Sequence, residues 1–237
     1  MGNHASDWID VTSGVPQGSV LGPLLFILFI NDLPQKINNL SKIYADDNKI
    51  LAISNKKKLQ LDINNTVTWT EENQVLLNGD KCKILHFGSN NNRHIYQIET
   101  KGIRYPIPSG TEEKDVGIFF SSDLKFSNHI DRTVSRAYRT LGLLINTFSF
   151  MDSDTFKILY CSFVRPLLEF AAPVWNPYLQ KDIDKLERVQ RKATKLAPGL
   201  RHLDYEARLT ALGITSFLNV EKEVILFRYL KSSKVLT

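Results

Sequence analysis

The hydrophobic pattern of this chain changes period once, near residue 125, and that change limits the folds open to it. Before it, short β-leaning runs alternate with loops rich in Gly and Pro; after it, apolar residues recur at helical spacing. The first half therefore predicts an α+β unit over residues 1–125 and the second an all-helical unit over 126–237. A length of 237 residues suits one large domain or a domain with an appendage. An apolar fraction of 43% with 23% charged residues is enough to bury a core, which excludes a wholly disordered chain. Cys82 and Cys161 cannot build a disulfide scaffold and form no CxxC pair. Residues 1–10 lack the apolar core of a secretory signal, and the apolar run 20–30 carries Gly22 and Pro23 and is too short to span a bilayer. An intracellular, soluble chain without a membrane partner is expected, nuclear or cytoplasmic.

The elements follow from local signals. Residues 8–11 read as a strand, 12–22 as a loop, and 24–30 as a buried apolar helix after Pro23. Residues 42–45 and 49–53 read as a β-hairpin with Asp46 and Asp47 at its tip. Asn55 caps a helix to about Asn73 with Leu59, Ile63 and Val67 on one face. Short strands are expected at 83–87, 96–98, 103–107 and 116–120. Beyond them, Ser127 or Asn128 opens a helix to Phe148, and Asp152 opens another that Pro166 and Pro173 kink or break. Helices at 182–197 and 204–212, the latter stopped by Gly213, and a fifth at 217–230 complete the expectation.

Charge is divided as sharply as pattern. Residues 1–127 hold 13 Lys and Arg against 14 Asp and Glu, whereas residues 128–237 hold 17 against 11. A basic C-terminal half suits contact with a polyanion, and a solvated basic surface gives the same count. Within it, Lys185, Arg188, Lys192 and Lys195 form one helical stripe beside an apolar stripe of Leu186, Val189, Ala193 and Leu196. Such a stripe can track a phosphate backbone; the alternative is a wet face partly neutralised by Asp182, Asp184 and Glu187. The scattered histidines 86, 94, 129 and 202 have no metal-ligand spacing, and Trp69, Trp175 and Tyr178 read as packing residues.

Tyr44-Ala45-Asp46-Asp47 is the sharpest chemical signal. Adjacent carboxylates repel unless a cation neutralises them, and Mg²⁺ takes one or two carboxylates together with substrate phosphates. That arrangement suits two-metal nucleotidyl transfer. An Asp-Asp turn is the plain alternative, since aspartate is common in turns.

The neighbouring blocks decide between them. Residues 13–26 read Ser-Gly-Val-Pro-Gln-Gly-Ser-Val-Leu-Gly-Pro-Leu-Leu-Phe, followed by Asn31-Asp-Leu-Pro. With the Tyr-Ala-Asp-Asp run, this resembles motifs B and C of the reverse transcriptases of non-LTR (LINE-type, jockey-like) retrotransposons, which are RNA-directed DNA polymerases. Residues 77–88 resemble the lysine-bearing motif D, and residues 113–118 with 121–127 resemble the primer-grip block, motif E. Residues 164–177 and 186–191 are similar to the helical thumb and C-terminal extension. The resemblance runs in order along about the whole chain.

The resemblance implies a partial right-hand palm with a small antiparallel sheet, then a helical thumb. It implies that Asp46 is a metal ligand and Asp47 a weaker ligand or electrostatic support, for Mg²⁺ or alternatively Mn²⁺. Tyr44 would lie near the primer end or the incoming nucleotide, and Pro16, Gln17 and Gly18 against template and nucleotide, the glycine permitting close backbone approach. Lys81 would lie near the triphosphate, with an ordinary surface lysine as its alternative. Gly117 would mark the primer grip. Implied partners are an RNA template, a DNA primer and deoxynucleoside triphosphates. Asn48 departs from the family's more usual threonine.

The family's third carboxylate comes from motif A, well upstream of motif B, and residues 1–13 do not resemble motif A despite Asp7 and Asp10. An under-liganded two-metal site is expected to polymerise nothing detectable by itself. Three readings follow: a truncated polymerase without activity, a polymerase part completed by a fingers-plus-motif-A segment, or a nucleic-acid-binding remnant. An intact Asp46-Asp47 pair leans toward the second over the third.

Overall fold

The computed structural model describes residues 10, 14–15, 18–53, 55–75, 77–100, 102–148 and 150–217. The expected strand at 8–11 and helix at 217–230 lie almost entirely outside these, as do Pro16 and Gln17. The chain divides into two compact units, one within Met1–His86 and Asn90–Gly110, the other within Phe87–Ser89 and Thr111–Thr237. The architecture is α+β, with small two-stranded ladders followed by an all-helical region.

The first unit begins with helix α1 (Leu21–Ile30), whose first turn carries Pro23 and is entered through a bond from Gly22 N–H to Ser19 Oγ, 3.1 Å. A short 3-10 turn, Leu33–Lys36, leads to the antiparallel hairpin β1 (Leu40–Tyr44) and β2 (Asp47–Leu51). Helix α2 (Lys56–Glu72) starts where Asn55 accepts a bond from Lys58 N–H, as its capping role predicts. Ile63 and Val67 on α2 bury against Tyr96, Ile98 and Ile107, with Leu59 at the edge. Strands β3 (Ile84–Leu85), β4 (Gln97–Thr100), β5 (Ile103–Pro106) and β6 (Ser109–Gly110) complete the unit, β4 pairing with β5 antiparallel and β3 with β6 parallel. A second small cluster joins Trp69 on α2 to Leu33 and Ile37, with Ile43 and Ile50 of the hairpin packed against it.

Helix α1 forms where expected but is not buried. Leu24, Leu25, Ile27, Leu28 and Phe29 are all exposed, Leu28 by 65%, and Gly22 is its one buried residue. A helix apolar all round has no face suited to water, but burial also needs a surface to pack on. It finds one at its C-terminal end, where Phe29 meets the Trp69 ring edge-on at 5.6 Å and Ile30 joins the Trp69 cluster.

The second unit opens with the hairpin β7 (Glu112–Asp115) and β8 (Ile118–Ser121). Strand β7 was hidden in the sequence because all four of its residues are charged. Helix α3 (Ser127–Thr147) follows, with Phe126 rather than Ser127 or Asn128 at its N-cap. Ser127 is already helical, and its hydroxyl donates to Asp182 Oδ2 at 2.5 Å. Helix α4 (Ser153–Leu159), capped by Asp152, continues through a π-turn (Tyr160–Val164) into α5 (Arg165–Glu169). The π-turn accommodates Pro166, whose missing N–H falls in the first turn of α5. The break comes at Phe170 and Ala171, the latter at φ +53°, before α6 (Ala172–Trp175). Helices α7 (Gln180–Leu196) and α8 (Tyr205–Leu212) close the unit, α8 capped by Asp204 and stopped by Gly213 at φ +60°.

Residues Ser153–Trp175 are long and apolar enough by composition to cross a membrane. Here Phe156, Tyr160, Val164, Leu168 and Trp175 from that stretch instead join Leu141, Leu186, Val189 and Leu209 in the core of the helical unit. Polar groups lie inside that core as well. Gln190 accepts from Tyr160 Oη at 3.1 Å and donates to Tyr205 Oη and Thr215 O, both at 3.1 Å. Glu187 accepts from the Tyr205 hydroxyl and from Phe217 N–H, so the polar atoms of this network are matched to one another. Burial pushes both phenols up, and at Tyr205 the bond to Glu187 adds to the effect of burial.

Candidate polymerase site and nucleic-acid interface

Five cross-strand pairs, Leu40 with Leu51 through Tyr44 with Asp47, leave a two-residue turn of Ala45 and Asp46. Ala45 carries φ +53°, where an L-residue other than glycine is strained by about 1–2 kcal/mol. Strand alternation sorts the hairpin into two faces. Ile43, Asn48 and Ile50 share the face that packs toward Trp69, and Asn48 Oδ1 accepts from Ser41 Oγ at 2.8 Å. Tyr44 and Asp47 lie opposite each other on the other face, above the Lys42–Lys49 pair.

Both carboxylates, Asp46 in the turn and Asp47 at the first position of β2, are exposed, as is Tyr44. Two adjacent, solvent-facing carboxylates are hard oxygen donors of the kind Mg²⁺ accepts. Among the described residues no three His, Cys, Asp or Glu side chains come together in a cluster that could hold a metal.

The remaining candidates of the first unit are placed separately. Gly18 is exposed at φ +84°, with nothing within 4 Å of where a Cβ would stand, so its backbone can be approached closely. Lys81 is exposed at the end of a 3-10 turn, Gly79–Lys81, whose Asn78 side chain accepts the Lys81 N–H at 3.3 Å.

In the second unit, Gly117 sits at φ +88° beside Val116 at φ +43°, the two central residues of the β7–β8 turn. Positive φ at both positions is the signature of a type I′ hairpin. The backbone conformation calls for glycine here, and a Cβ on Gly117 would also stand 3.0 Å from the Phe170 ring, close enough that the ring would have to give way. The hairpin rests on α3, where His129 Nδ1 accepts Phe119 N–H at 3.4 Å and burial lowers the imidazole's pKa. Arg132 lies 4.2 Å from the centre of the Phe119 ring and ion-pairs with Glu112 at 2.7 Å.

Helices α3 and α7 run side by side in the same direction: Ser127 touches Asp182, Asp131 pairs with Lys185, and Tyr138 stacks under Lys192. This seam divides the basic stripe. Arg188, Lys192 and Lys195 are exposed, Lys192 with its ammonium 5.1 Å from the Tyr138 ring centre. Lys185 is spent internally, 2.5 Å from Asp131 and 3.1 Å from Asp182. The Asp131 contact is the largest influence on it and raises its pKa; burial works against this and Asp182 adds to it. Asp182 Oδ1 is buried without a hydrogen-bond donor, so this ammonium is its compensation. Asp182 and Glu187, expected on the wet face, are buried at 2% and 5% exposure, so they do not neutralise the stripe from solvent. Leu186, Val189 and Ala193 are buried as expected, but Leu196, at the helix end, is exposed. Of the aromatic residues, Trp69 and Trp175 are core, whereas Tyr178 is 69% exposed.

Sequence reasoning missed one set of residues altogether. Asp62 on α2 is fully buried and accepts four hydrogen bonds from Asn38 and Asn39, the two residues before β1. Asp32 similarly accepts Trp69 Nε1–H at 3.0 Å. The lone signal was a polar residue interrupting the inner face of an otherwise ordinary amphipathic helix.

The family model for reverse transcriptase (RNA-dependent DNA polymerase) matches residues 1–147. A curated relative described as a probable RNA-directed DNA polymerase from transposon BS of Drosophila melanogaster is 28% identical over 200 residues, covering 77% of this chain and 22% of the relative. The RNA-directed DNA polymerase from mobile element jockey of the same fly is 27% identical over 208 residues, covering 80% of this chain and again 22% of the relative. A third, described as that of transposon X-element, is 23% identical over 210 residues. The chain thus spans about a fifth of the length of the curated relatives it matches. No solved structure matches it.

Proposed function

This chain belongs to the reverse transcriptase family, alongside the enzymes of non-LTR retrotransposons, and we propose that it forms the motif B-to-thumb part of a polymerase extending a DNA 3′ hydroxyl on an RNA template. The observation that carries this is the hairpin tip: Asp46 and Asp47 adjacent and exposed beside Tyr44, on a turn held in a strained conformation. Asp46 and Asp47 would hold Mg²⁺, or Mn²⁺ in its place, which when bound stabilises charge on the attacking and departing oxygens. Tyr44 and Gly18 would line the path of primer, template and nucleotide, with Lys81 at the triphosphate and Gly117 at the primer. Arg188, Lys192 and Lys195 would follow the duplex backbone. An intracellular setting accords with a family that copies RNA.

Two carboxylates leave the site short of the ligands that two ions require, and a further polymerase segment carrying a third would complete it. The exposed apolar surface of α1 is suited to receive such a segment. Primer extension on an RNA template, with Mg²⁺ and separately with Mn²⁺, tests the reading. The chain alone should extend nothing, and extension should arise when a fingers-plus-motif-A segment of a related element is supplied and vanish in Asp46→Ala. Extension that survives Asp46→Ala would overturn the metal assignment.

A second reading, a nucleic-acid-binding remnant without catalysis, draws on the exposed Arg188, Lys192 and Lys195. Salt-sensitive retention of an RNA–DNA duplex, without extension under any complementation, would favour it.

A further inference from the structure

Between α1 and the acidic hairpin, the chain is tied to helix α2 by the Trp69 cluster and, directly before β1, by a buried carboxylate. Asp62 has no exposed surface. Its Oδ1 accepts Asn38 N–H at 2.8 Å and Asn38 Nδ2 at 2.9 Å; its Oδ2 accepts Asn39 N–H at 2.9 Å and Asn39 Nδ2 at 2.6 Å. Each oxygen therefore takes one main-chain and one side-chain donor, which saturates the carboxylate. Burial works to raise the Asp62 pKa, but the four bonds outweigh it and hold the group below the ordinary carboxylate range. Asn65 Nδ2 adds a bond to Lys36 O at 2.9 Å one turn along the helix.

The position of this clamp gives it leverage. Strand β1 starts at Leu40, directly after Asn39. The strand reaches the tip at Tyr44, five residues after Asn39 and about 17 Å away at the usual rise per strand residue, with Asp46 in the turn just beyond. A rotation of about 5° at the root would carry the tip through about 1.5 Å, and a displacement of about 1 Å in an active site can cost about 100-fold in rate. A buried charge with four matched donors is an expensive device for merely joining a loop to a helix, because an apolar contact would do so without desolvating a carboxylate. What it adds is direction: bonds to two consecutive main-chain N–H groups set the angle at which the strand leaves. We infer that Asp62 is a positioning residue, aiming the Asp46–Asp47 hairpin from helix α2. Its catalytic meaning rests on the polymerase reading above; the aiming itself does not.

Hydrogen exchange on the full 237-residue chain, read by mass spectrometry, tests the aiming. Asp62→Asn keeps the shape but sets an amide donor against donors. Exchange over residues 40–51 is expected to rise at least tenfold, while residues 97–107, which pack on the same helix through Ile63 and Val67, stay unchanged. Pairing Asp62→Asn with Asn39→Asp, which reverses donor and acceptor between the two side chains, should restore part of the protection. Equal loss in both segments would mean that Asp62 merely stabilises α2, and no loss in 40–51 would mean that it aims nothing; either result overturns the inference. A variant too unstable to hold helix α2 gives the first of these results. Mn²⁺ as a paramagnetic probe, read by broadening of the amide signals of residues 44–48, tests the link to the carboxylates. Broadening in the unaltered chain that weakens severalfold in Asp62→Asn supports it, and broadening equal in both refutes it. Absence of broadening in the unaltered chain counts against the metal reading of Asp46 and Asp47, while the exchange result still decides the clamp.

Discussion

Replacing Gly117 by alanine separates two reasons for glycine that the structure superimposes. The first is backbone: at φ +88° an alanine is held beyond the centre of the left-handed region, at a cost of about 1–2 kcal/mol. The second is contact: the new Cβ would stand 3.0 Å from Phe170 Cε1. Phe170 is 54% exposed, so its ring can swing aside. It would forfeit only a few atom contacts, each worth about 0.1–0.2 kcal/mol. Against both stands the lower entropy of an unfolded chain with alanine, worth about 0.4–1 kcal/mol in favour of the variant. The net expectation is a loss of about 1 kcal/mol, nearly all of it from the backbone. Urea unfolding followed by circular dichroism at 222 nm, dominated by the helices of the same unit, reads this as a lower midpoint at unchanged slope. In a Phe170→Ala background the loss should persist, with a coupling energy below about 0.5 kcal/mol. A neutral Gly117→Ala, or a loss that disappears once Phe170 is gone, would refute the assignment of the cost to φ.

Other parts of the structure carry further expectations. Glu187→Gln leaves one acceptor oxygen where two donors, the Tyr205 hydroxyl and Phe217 N–H, now have one each, so one of them loses its acceptor; the helical unit should be destabilised by about 1–3 kcal/mol in the same urea assay. On acidification, Asp62, with its folded pKa below the ordinary 3.8, gives stability that is complete above that value. Below it the unfolded state binds more protons and the contribution drains away, so hairpin exchange should accelerate only below about pH 4. His129 follows the same sign from 6.5 downward, since burial lowers its pKa, and the β7–β8 hairpin should loosen first. Lys192→Gln and Lys195→Gln should each reduce the salt dependence of duplex binding by about one unit of log–log slope. Lys185→Gln, which breaks an internal ion pair, should leave that slope unchanged, and a drop of equal size would contradict its placement.

The elements that could be read in the sequence are those whose determinants are local. Asn55, Asp152, Asp204 and Gly213 each act within four residues of the helix end they govern, and each does in the structure what its type predicts. The hairpin bearing Asp46 and Asp47 was legible for the same reason, with its turn one residue earlier than the acidic pair suggested. What escaped depends on distant partners. Asp62 meets residues 23 and 24 positions away, and no periodicity marks such a bond. Asp182 and Glu187 looked like solvated charges because helical spacing shows which residues share a face, not which neighbour carries a matching donor. Leucines 24, 25 and 28 were legible as apolar but not as exposed, because composition records a need for burial without naming what supplies it.

The Gln190 amide has a meaning for assembly as well as for stability. Its carbonyl oxygen and its amino group engage three positions, Tyr160, Tyr205 and Thr215, contributed by the π-turn, by α8 and by the segment after α8. Slide any one of these past α7 by a single residue and a hydroxyl or carbonyl is left dry and unmatched in the interior. Apolar neighbours such as Val189 and Leu209 would tolerate that slip with a modest repacking, but the amide would not. The helical unit therefore carries its own proofreading: one side chain in its middle accepts a single alignment of three strangers in the sequence, and any other leaves a buried polar group unpaired.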